Sequence, residues 1–329
     1  MECRPLGASG LKVSRMGLGT MSWGTDTDAE EAANQLVAFV DAGGTLVDTA
    51  DVYGDGESER ILGSLLADLV PREDIVLATK AAARRAAGPF GGGASRGSLL
   101  AALDDSLRRL GVDHLDLWQV HAWDPAVPIE ETLSALDHAV TSGRVRYVGV
   151  SNYAGWQLAT AACGLRGIGS TAPRIVSTQS EYSLLDRGVE AEVVPAAAHH
   201  GIGLLPWAPL GRGVLTGKYR GGTPADSRGA STTYGGYVDR HRTDRAARIV
   251  EAVATAAEGL STSPLAVALA WVRDRPGVVA PVVGSRDAAQ LAGSLAAEEL
   301  TLPDAIRGAL DDVSDPAGGA DHAPTEENR

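Results

Sequence analysis

Residues 75–121 decide how this chain folds. They open with Ile75-Val-Leu-Ala-Thr-Lys80, a short apolar and β-branched run. They continue through a helical pattern from Ser95 to Leu110, halted by Gly111, and close with Leu115-Asp-Leu-Trp-Gln-Val-His121, a second such run. Strand, helix and strand in that order make a βα repeat. The same pattern extends in both directions, with strand candidates at 15–19, 45–49, 75–80, 115–121, 147–151, 175–181, 204–208 and 279–284. Their starts lie roughly 30 residues apart until the last interval, the length of one βα unit.

The helical patterns between them carry start and stop signals. Asp28-Ala-Glu-Glu31 is a capping-box pattern ahead of Leu36, Val37 and Val40, and Gly43-Gly44 ends it. Residues 128–140 carry Glu130 and Glu131 early, with Gly143 as the stop and Arg144 behind it, matching the helix dipole. Eight alternations without a break in composition predict a single α/β domain, a (β/α)8 TIM barrel over residues 1–314. The competing architecture is an open doubly wound sheet, but no Gly-x-Gly-x-x-Gly follows the first strands. The interval between the seventh and eighth strands breaks the rhythm. It holds a Gly-, Ser-, Thr- and Tyr-rich loop over 211–242, expected to be a lid or binding loop, and a helix over 243–258. Residues 315–329 are polar and aperiodic and are expected to be a disordered tail.

Composition narrows the function. The chain has 329 residues, 44% hydrophobic and 22% charged, which is ordinary globular usage. With 29 basic and 42 acidic side chains the net charge is −13, which argues against nucleic acid or an anionic membrane as partner. Any phosphate must therefore be met by a local pocket. Cys3 and Cys163 cannot build a disulfide framework and suit a reducing compartment. The stretch 1–7 lacks signal-peptide character and no run of 18 apolar residues occurs, so a cytoplasmic protein is expected. Only Lys12, Lys80 and Lys218 stand against 26 arginines, which with abundant Ala and Gly reads as a GC-rich bacterial genome. A lysine closing an apolar run in such a chain stands out.

Asp48, Lys80 and His121 end three consecutive strands, and parallel barrel strands open on one face. Tyr53 follows in the Gly-flanked turn Val52-Tyr53-Gly54-Asp55-Gly56. Each has a plain structural role open to it: a turn cap, loop packing, a satisfied histidine, a lysine paired with any carboxylate. Together they form a proton donor. A nearby ammonium lowers the pKa of a phenol, a carboxylate keeps that ammonium charged, and an imidazole orients a carbonyl oxygen.

Leu46-Val-Asp48-Thr-Ala-Asp-Val-Tyr53-Gly, Ala78-Thr-Lys80 and Trp118-Gln-Val-His121 resemble the aldo-keto reductases, and the likeness runs from about residue 4 to 310. The resemblance implies an NADP(H)-dependent reductase of a small-molecule carbonyl substrate, with Tyr53 as proton donor and Asp48, Lys80 and His121 completing a catalytic tetrad. It implies that Ser151, Asn152 and Gln179 hold the nicotinamide carboxamide and that Trp207 stacks on the ring. Ala208, Pro209, Leu210, Gly211 and Gly213 would form a strap over the pyrophosphate, with Lys218 near its phosphates and Thr20 and Met21 in main-chain contact. Gly284, Ser285, Arg286 and Gln290 would take the adenosine end, the guanidinium and the following helix N-terminus suiting a 2′-phosphate. Where the family often has Asn, this chain has Ser294. The substrate pocket is expected from Trp23, Tyr53, His121, Trp123 and Trp207, with Tyr182, Tyr219, Tyr234 and Tyr237 as lid or wall.

Alternatives remain at this point. One is a regulatory subunit like the potassium-channel β-subunits, which typically carry Asn in place of His121; another is a deoxysugar or secondary-metabolite reductase. A Schiff-base enzyme using Lys80 and a metalloenzyme using Asp48 and His121 fit less well. No metal is expected, since the strands offer no His-x-His. The oligomeric state is not legible.

Overall fold

The computed structural model describes residues 1–83, 88, 91–168, 173–225, 227–231 and 235–316. Its strands are β1 (Cys3–Pro5), β2 (Lys12–Ser14), β3 (Gly17–Gly19), β4 (Leu46–Asp48), β5 (Val76–Ala81), β6 (Leu115–Val120), β7 (Val145–Ser151), β8 (Ile175–Glu181), β9 (Gly203–Trp207) and β10 (Val282–Gly284). Eight of them form one parallel sheet in the order β10-β3-β4-β5-β6-β7-β8-β9. The seam between β9 and β10 is bridged by the chain entering β10, where Leu204 N donates to Gly277 O at 2.9 Å and Val279 N to Leu204 O at 2.9 Å. The result is a nearly closed (β/α)8 barrel, as the sequence predicts.

The helices form where their signals stand. Ser95 caps the helix Arg96–Leu110 by accepting from Ser98 N, and Gly111 leaves it at φ +66°, the left-handed conformation glycine adopts without penalty. Asp28 caps Ala29–Asp41 in the same way, but the expected capping box is only half made, because Glu31 reaches Ala288 N instead. Apolar residues on the outer strand faces and inner helix faces build the main core, including Leu36, Leu77, Leu99, Leu115, Leu136 and Val148. A smaller core fills the barrel itself, from Leu46, Ala78, Leu117, Val176, Leu205 and Val282.

The antiparallel hairpin β1–β2 is not anticipated by the sequence, since strands of three residues carry no readable period. Its turn sends Leu6, fully buried, into the inner core and so plugs the N-terminal end of the barrel. The long segment before the last repeat carries turns at Gly211–Thr216 and Arg228–Ala230 and a short helix, Gly235–Asp239. The helix expected over 243–258 runs Asp244–Gly259, with Thr243 as its cap. The last described helix is Asp304–Val313, and 317–329 of the expected tail lie outside the described residues. No single helix among the described residues is long and apolar enough to cross a membrane.

Candidate active site

Because all eight strands are parallel, the C-terminal ends of β4, β5 and β6 open on one rim. Lys80 is fully buried; its Nζ donates to Asp48 Oδ2 at 2.5 Å, to Thr49 O at 2.9 Å and to Tyr53 Oη at 3.4 Å. The His121 ring stands edge-on to Tyr53, centroids 6.1 Å apart. All four predicted groups therefore meet. Tyr53 is aimed by its turn, in which Gly54, Asp55 and Gly56 all have left-handed φ values of 56°, 55° and 88°. A Cβ on Gly56 would come within 2.8 Å of Arg109 Cδ, so the turn closes on that side chain only through glycine. Arg109 is in turn fixed by the fully buried Glu59, Nε to Oε2 at 2.6 Å.

Burial sets the protonation states. Desolvation pulls the Lys80 ammonium down, but Asp48 and then Tyr53 outweigh it, and its pKa ends above the usual lysine value. His121 is pushed down to about 3 by burial and by Lys80, so it is a neutral imidazole. The sequence reading expects Lys80 to lower the Tyr53 phenol, and here the structure corrects it. Burial, the largest influence, raises the phenol; Lys80 lowers it, Asp48 and Asp51 raise it again, and the net direction is up. At neutral pH the site holds a protonated phenol beside a charged ammonium and an uncharged imidazole.

Asp48 is steadied from behind. Thr20 N and Oγ1 donate to its backbone carbonyl at 3.0 and 3.3 Å, and its Oδ1 accepts from Gln179 Nε2 at 3.0 Å and Gln119 Nε2 at 3.2 Å. Gln119 escaped the sequence reading. Its only signal is its place two residues before His121, on the same face of the strand.

In front of these groups lies a cleft of about 870 Å³, lined by Met21, Tyr53, His121, Ser151, Asn152, Gln179 and Trp207, then by Ala208, Pro209, Leu210, Gly213 and Lys218, and at its far end by Gly284, Ser285, Arg286 and Gln290. Thr20 and Gly211 are buried behind this wall; a Cβ on Gly211 would come within 2.5 Å of Leu185. Asn152, left-handed at φ 57°, donates from Nδ2 to His121 O and accepts from Trp207 Nε1, both at 2.9 Å, so it fastens the walls together.

Two expected pocket aromatics lie elsewhere. Trp23 is fully buried in the main core with Nε1 on Gln35 Oε1 at 3.1 Å, because the turn after β3 folds its indole under the rim. Trp123 packs edge-on between Tyr153 and Trp156, each 5.3 Å away, and is off the cleft wall. Tyr182 is core, its hydroxyl on Glu190 at 2.6 Å. Tyr219 lies against Lys218 and Arg242, and Tyr237 reaches the wall. Tyr234 falls outside the described residues.

The wall also uses Arg212, which the sequence reading carried only as part of the strap over 208–213, and Arg228, which it passed over. Arg212 lies over the Trp207 ring at 5.2 Å and the Tyr237 ring at 4.5 Å, and it approaches Glu181 Oε2 at 3.8 Å. Burial raises the Glu181 carboxyl, but His241, Arg240 and Arg212 hold it below its usual value. One carboxylate at the end of β8 thus ties the strap to the helix Gly235–Asp239 and the residues after it. At the adenosine end, a second expectation changes. The helix Ala288–Leu295 has its first amides engaged, Ala288 N by Glu31 and Gln290 N by Asp287 Oδ1 at 2.8 Å. Two of the helix's first amides are therefore already taken by carboxylates, and Arg286 is the cation that lines the cleft there. Ser294 lines this end with its hydroxyl turned back to Gln290 O at 3.3 Å.

The profile of the Aldo/keto reductase family matches residues 15–315. The chain belongs to this family. It is 35% identical to an uncharacterised oxidoreductase, YrpG, of Bacillus subtilis, over 97% of this chain and 98% of the relative. It is 35% identical to a probable voltage-gated potassium channel subunit beta of rice, over 90% and 91%, and 33% identical to the L-glyceraldehyde 3-phosphate reductase of Escherichia coli, over 88% and 86%. The family is one of oxidoreductases that use NAD(P)H.

The wall fits such a nucleotide. Ser151 Oγ is buried beside the tetrad with no hydrogen-bond partner among the described residues, a polar atom that a bound carboxamide would satisfy. Among the described residues four cations, Arg212, Lys218, Arg228 and Arg286, line the cleft against one carboxylate, Asp48, in a protein of net charge −13. Local charge is thus reversed where a dinucleotide's phosphates would lie. Among the described residues no group of three or more His, Cys, Asp or Glu could hold a metal ion.

Proposed function

We propose that the chain reduces an aldehyde or ketone to the alcohol, using NADPH, with Tyr53 as the proton donor. The observation that carries this reading is the contact of the Lys80 ammonium with both Asp48, at 2.5 Å, and Tyr53 Oη, at 3.4 Å, on the wall of one cleft. Bound in that cleft, the nicotinamide supplies a hydride to the carbonyl carbon. Ser151, with Gln179 beside it, is suited to hold its carboxamide, and Trp207 offers a face for the ring. Residues 208–213, with Lys218, would cover the pyrophosphate, and Arg286 would meet the 2′-phosphate.

The chain's own chemistry concerns one proton. Tyr53, kept protonated by burial, gives its hydroxyl hydrogen to the carbonyl oxygen as negative charge builds there. The phenolate left behind is stabilised by the Lys80 ammonium, which Asp48 keeps charged. His121, a neutral imidazole, donates a hydrogen bond to the same oxygen and orients it. A placed general acid of this kind contributes about 10²–10⁴ in rate. We infer a small-molecule carbonyl compound as partner, neither nucleic acid nor a lipid surface, and a cytoplasmic location. The acidic net charge and the two free thiols, Cys3 and Cys163, support this.

Tyr53→Phe tests the reading: loss of carbonyl reduction at 340 nm with NADPH affinity kept supports it, and equal loss of both contradicts a purely chemical role. The likeness to the rice channel subunit favours a second reading, a nucleotide-binding regulatory subunit. Purified chain that binds NADPH and turns over no carbonyl from a broad panel would establish that reading instead.

A further inference from the structure

Asp48 carries the arrangement on two oxygens. Oδ2 belongs to Lys80, and Oδ1 accepts from the side-chain amides of Gln179 and Gln119. These two donors differ in place. Gln179 lies on the cleft wall, where a bound carboxamide competes for its amide, whereas Gln119 is fully buried beneath that wall. It is also held. Ser177 Oγ donates to Gln119 Oε1 at 3.5 Å, which turns the amide NH2 towards Asp48. Gly149, paired with Gln119 on one side and Ser177 on the other, leaves room for both. A Cβ at Gly149 would stand 2.1 Å from Ser177 Oγ and 3.2 Å from Gln119 Cγ. A buried glutamine with an anchored carbonyl, and a glycine that makes space for it, is a built support and not filler.

We propose that Gln119 is a positioning residue for the reaction, holding Asp48 Oδ1 in place so that Asp48 keeps Lys80 aimed at Tyr53 when Gln179 is occupied by cofactor. This inference rests on the reductase reading above. Gln119 touches neither substrate nor cofactor and acts only through Asp48. Among the described residues Lys80, Asp48, Asp51 and His121 are the titratable groups that face Tyr53, so a change in Asp48's field is felt at the phenol. The amide's positive end partly offsets the carboxylate charge. Without it, Asp48 presents more negative potential and a looser oxygen.

The test compares Gln119→Leu and Gln119→Met with the parent chain. One readout is the NMR titration of ring-13C tyrosine in the cofactor-free protein, with the Tyr53 signal among the seven tyrosines assigned by its loss in Tyr53→Phe. The others are the pH dependence of kcat and the affinity for NADPH by fluorescence. In Gln119→Leu the Tyr53 titration and the alkaline limb of kcat move to higher pH, and kcat falls about tenfold, the equivalent of one pKa unit. NADPH affinity is unchanged. Gln119→Met, of nearly equal volume, keeps the packing and removes the donor to Asp48, so it moves the phenol in the same direction. An unmoved Tyr53 titration in both variants overturns the proposal, as does a Gln119→Met chain that behaves like the parent, since packing alone would then explain the residue. If Gln119→Leu fails to melt cooperatively, Gln119→Met decides. Should the parent reduce no carbonyl at all, the reductase reading fails, and the cofactor-free titration still judges the role of Gln119.

Discussion

Replacing Lys80 by methionine tests the electrostatic basis of the site most directly. The substitution keeps the length of the side chain and removes a charge that lies 2.5 Å from Asp48, with both partners buried. Breaking a buried pair by deleting one partner costs about 3–5 kcal/mol, because the other charge stays behind uncompensated. Gln119 and Gln179 still donate to Asp48, which puts the expected loss at the lower end, about 3 kcal/mol. For a chain of this size that is a fall in Tm of roughly 6 °C. The measurement is thermal unfolding of the ligand-free protein by circular dichroism at pH 7. Asp48→Asn added to Lys80→Met removes the stranded carboxylate and recovers most of the loss.

The pH dependence has a definite sign. Lys80 in the parent has a folded pKa above its unfolded value, so its contribution is complete below the ordinary lysine range and is lost only as pH rises through the folded value. The parent and Lys80→Met should therefore converge in stability at strongly alkaline pH. A Lys80→Met chain that melts with the parent at pH 7, or gains nothing from the added Asp48→Asn, refutes the claim that Asp48 depends on this ammonium.

Three further outcomes are expected. His121 sits at about 3 in the fold against an ordinary value of about 6.5, so below the latter the unfolded chain binds a proton that the fold refuses. Stability is lost as pH falls through that window, and His121→Asn should lose less over the same range, measured as Tm against pH. Gly149→Ala drives a methyl into Ser177 Oγ at 2.1 Å and should cost about 1–3 kcal/mol by overpacking, with a drop in carbonyl reduction as Gln119 shifts; an unchanged melting curve would show that the strand pair yields freely. Arg286→Ala should weaken NADPH more than NADH in fluorescence titrations, because two of the helix amides beside it, Ala288 N and Gln290 N, are already taken by Glu31 and Asp287; an unaltered ratio reassigns the 2′-phosphate to another group.

The barrel was legible because each βα unit spells itself locally. Apolar runs such as Leu115–Val120, caps such as Ser95 and stops such as Gly111 need no distant partner to be read. The tetrad was legible for the same reason. A parallel barrel sends every strand end to one rim, so Asp48, Lys80 and His121 converge by topology alone, and Tyr53 follows Asp48 closely enough to be carried along.

What the sequence determined by itself, then, is everything set by order along the chain: the repeat, the closed barrel and the four side chains at its rim. Tertiary structure alone decided what depends on closeness between segments far apart. It turned the Tyr53 phenol upward, because burial counts for more there than the single ammonium visible from sequence. It took Trp23 out of the pocket and into the core, where Gln35 receives its indole N–H. It brought Gln119 under Asp48 and laid Arg212 between Trp207 and Tyr237. Solvent exclusion and three-body packing have no local signature, and for that physical reason a sequence names the reacting groups while only the fold sets their charge.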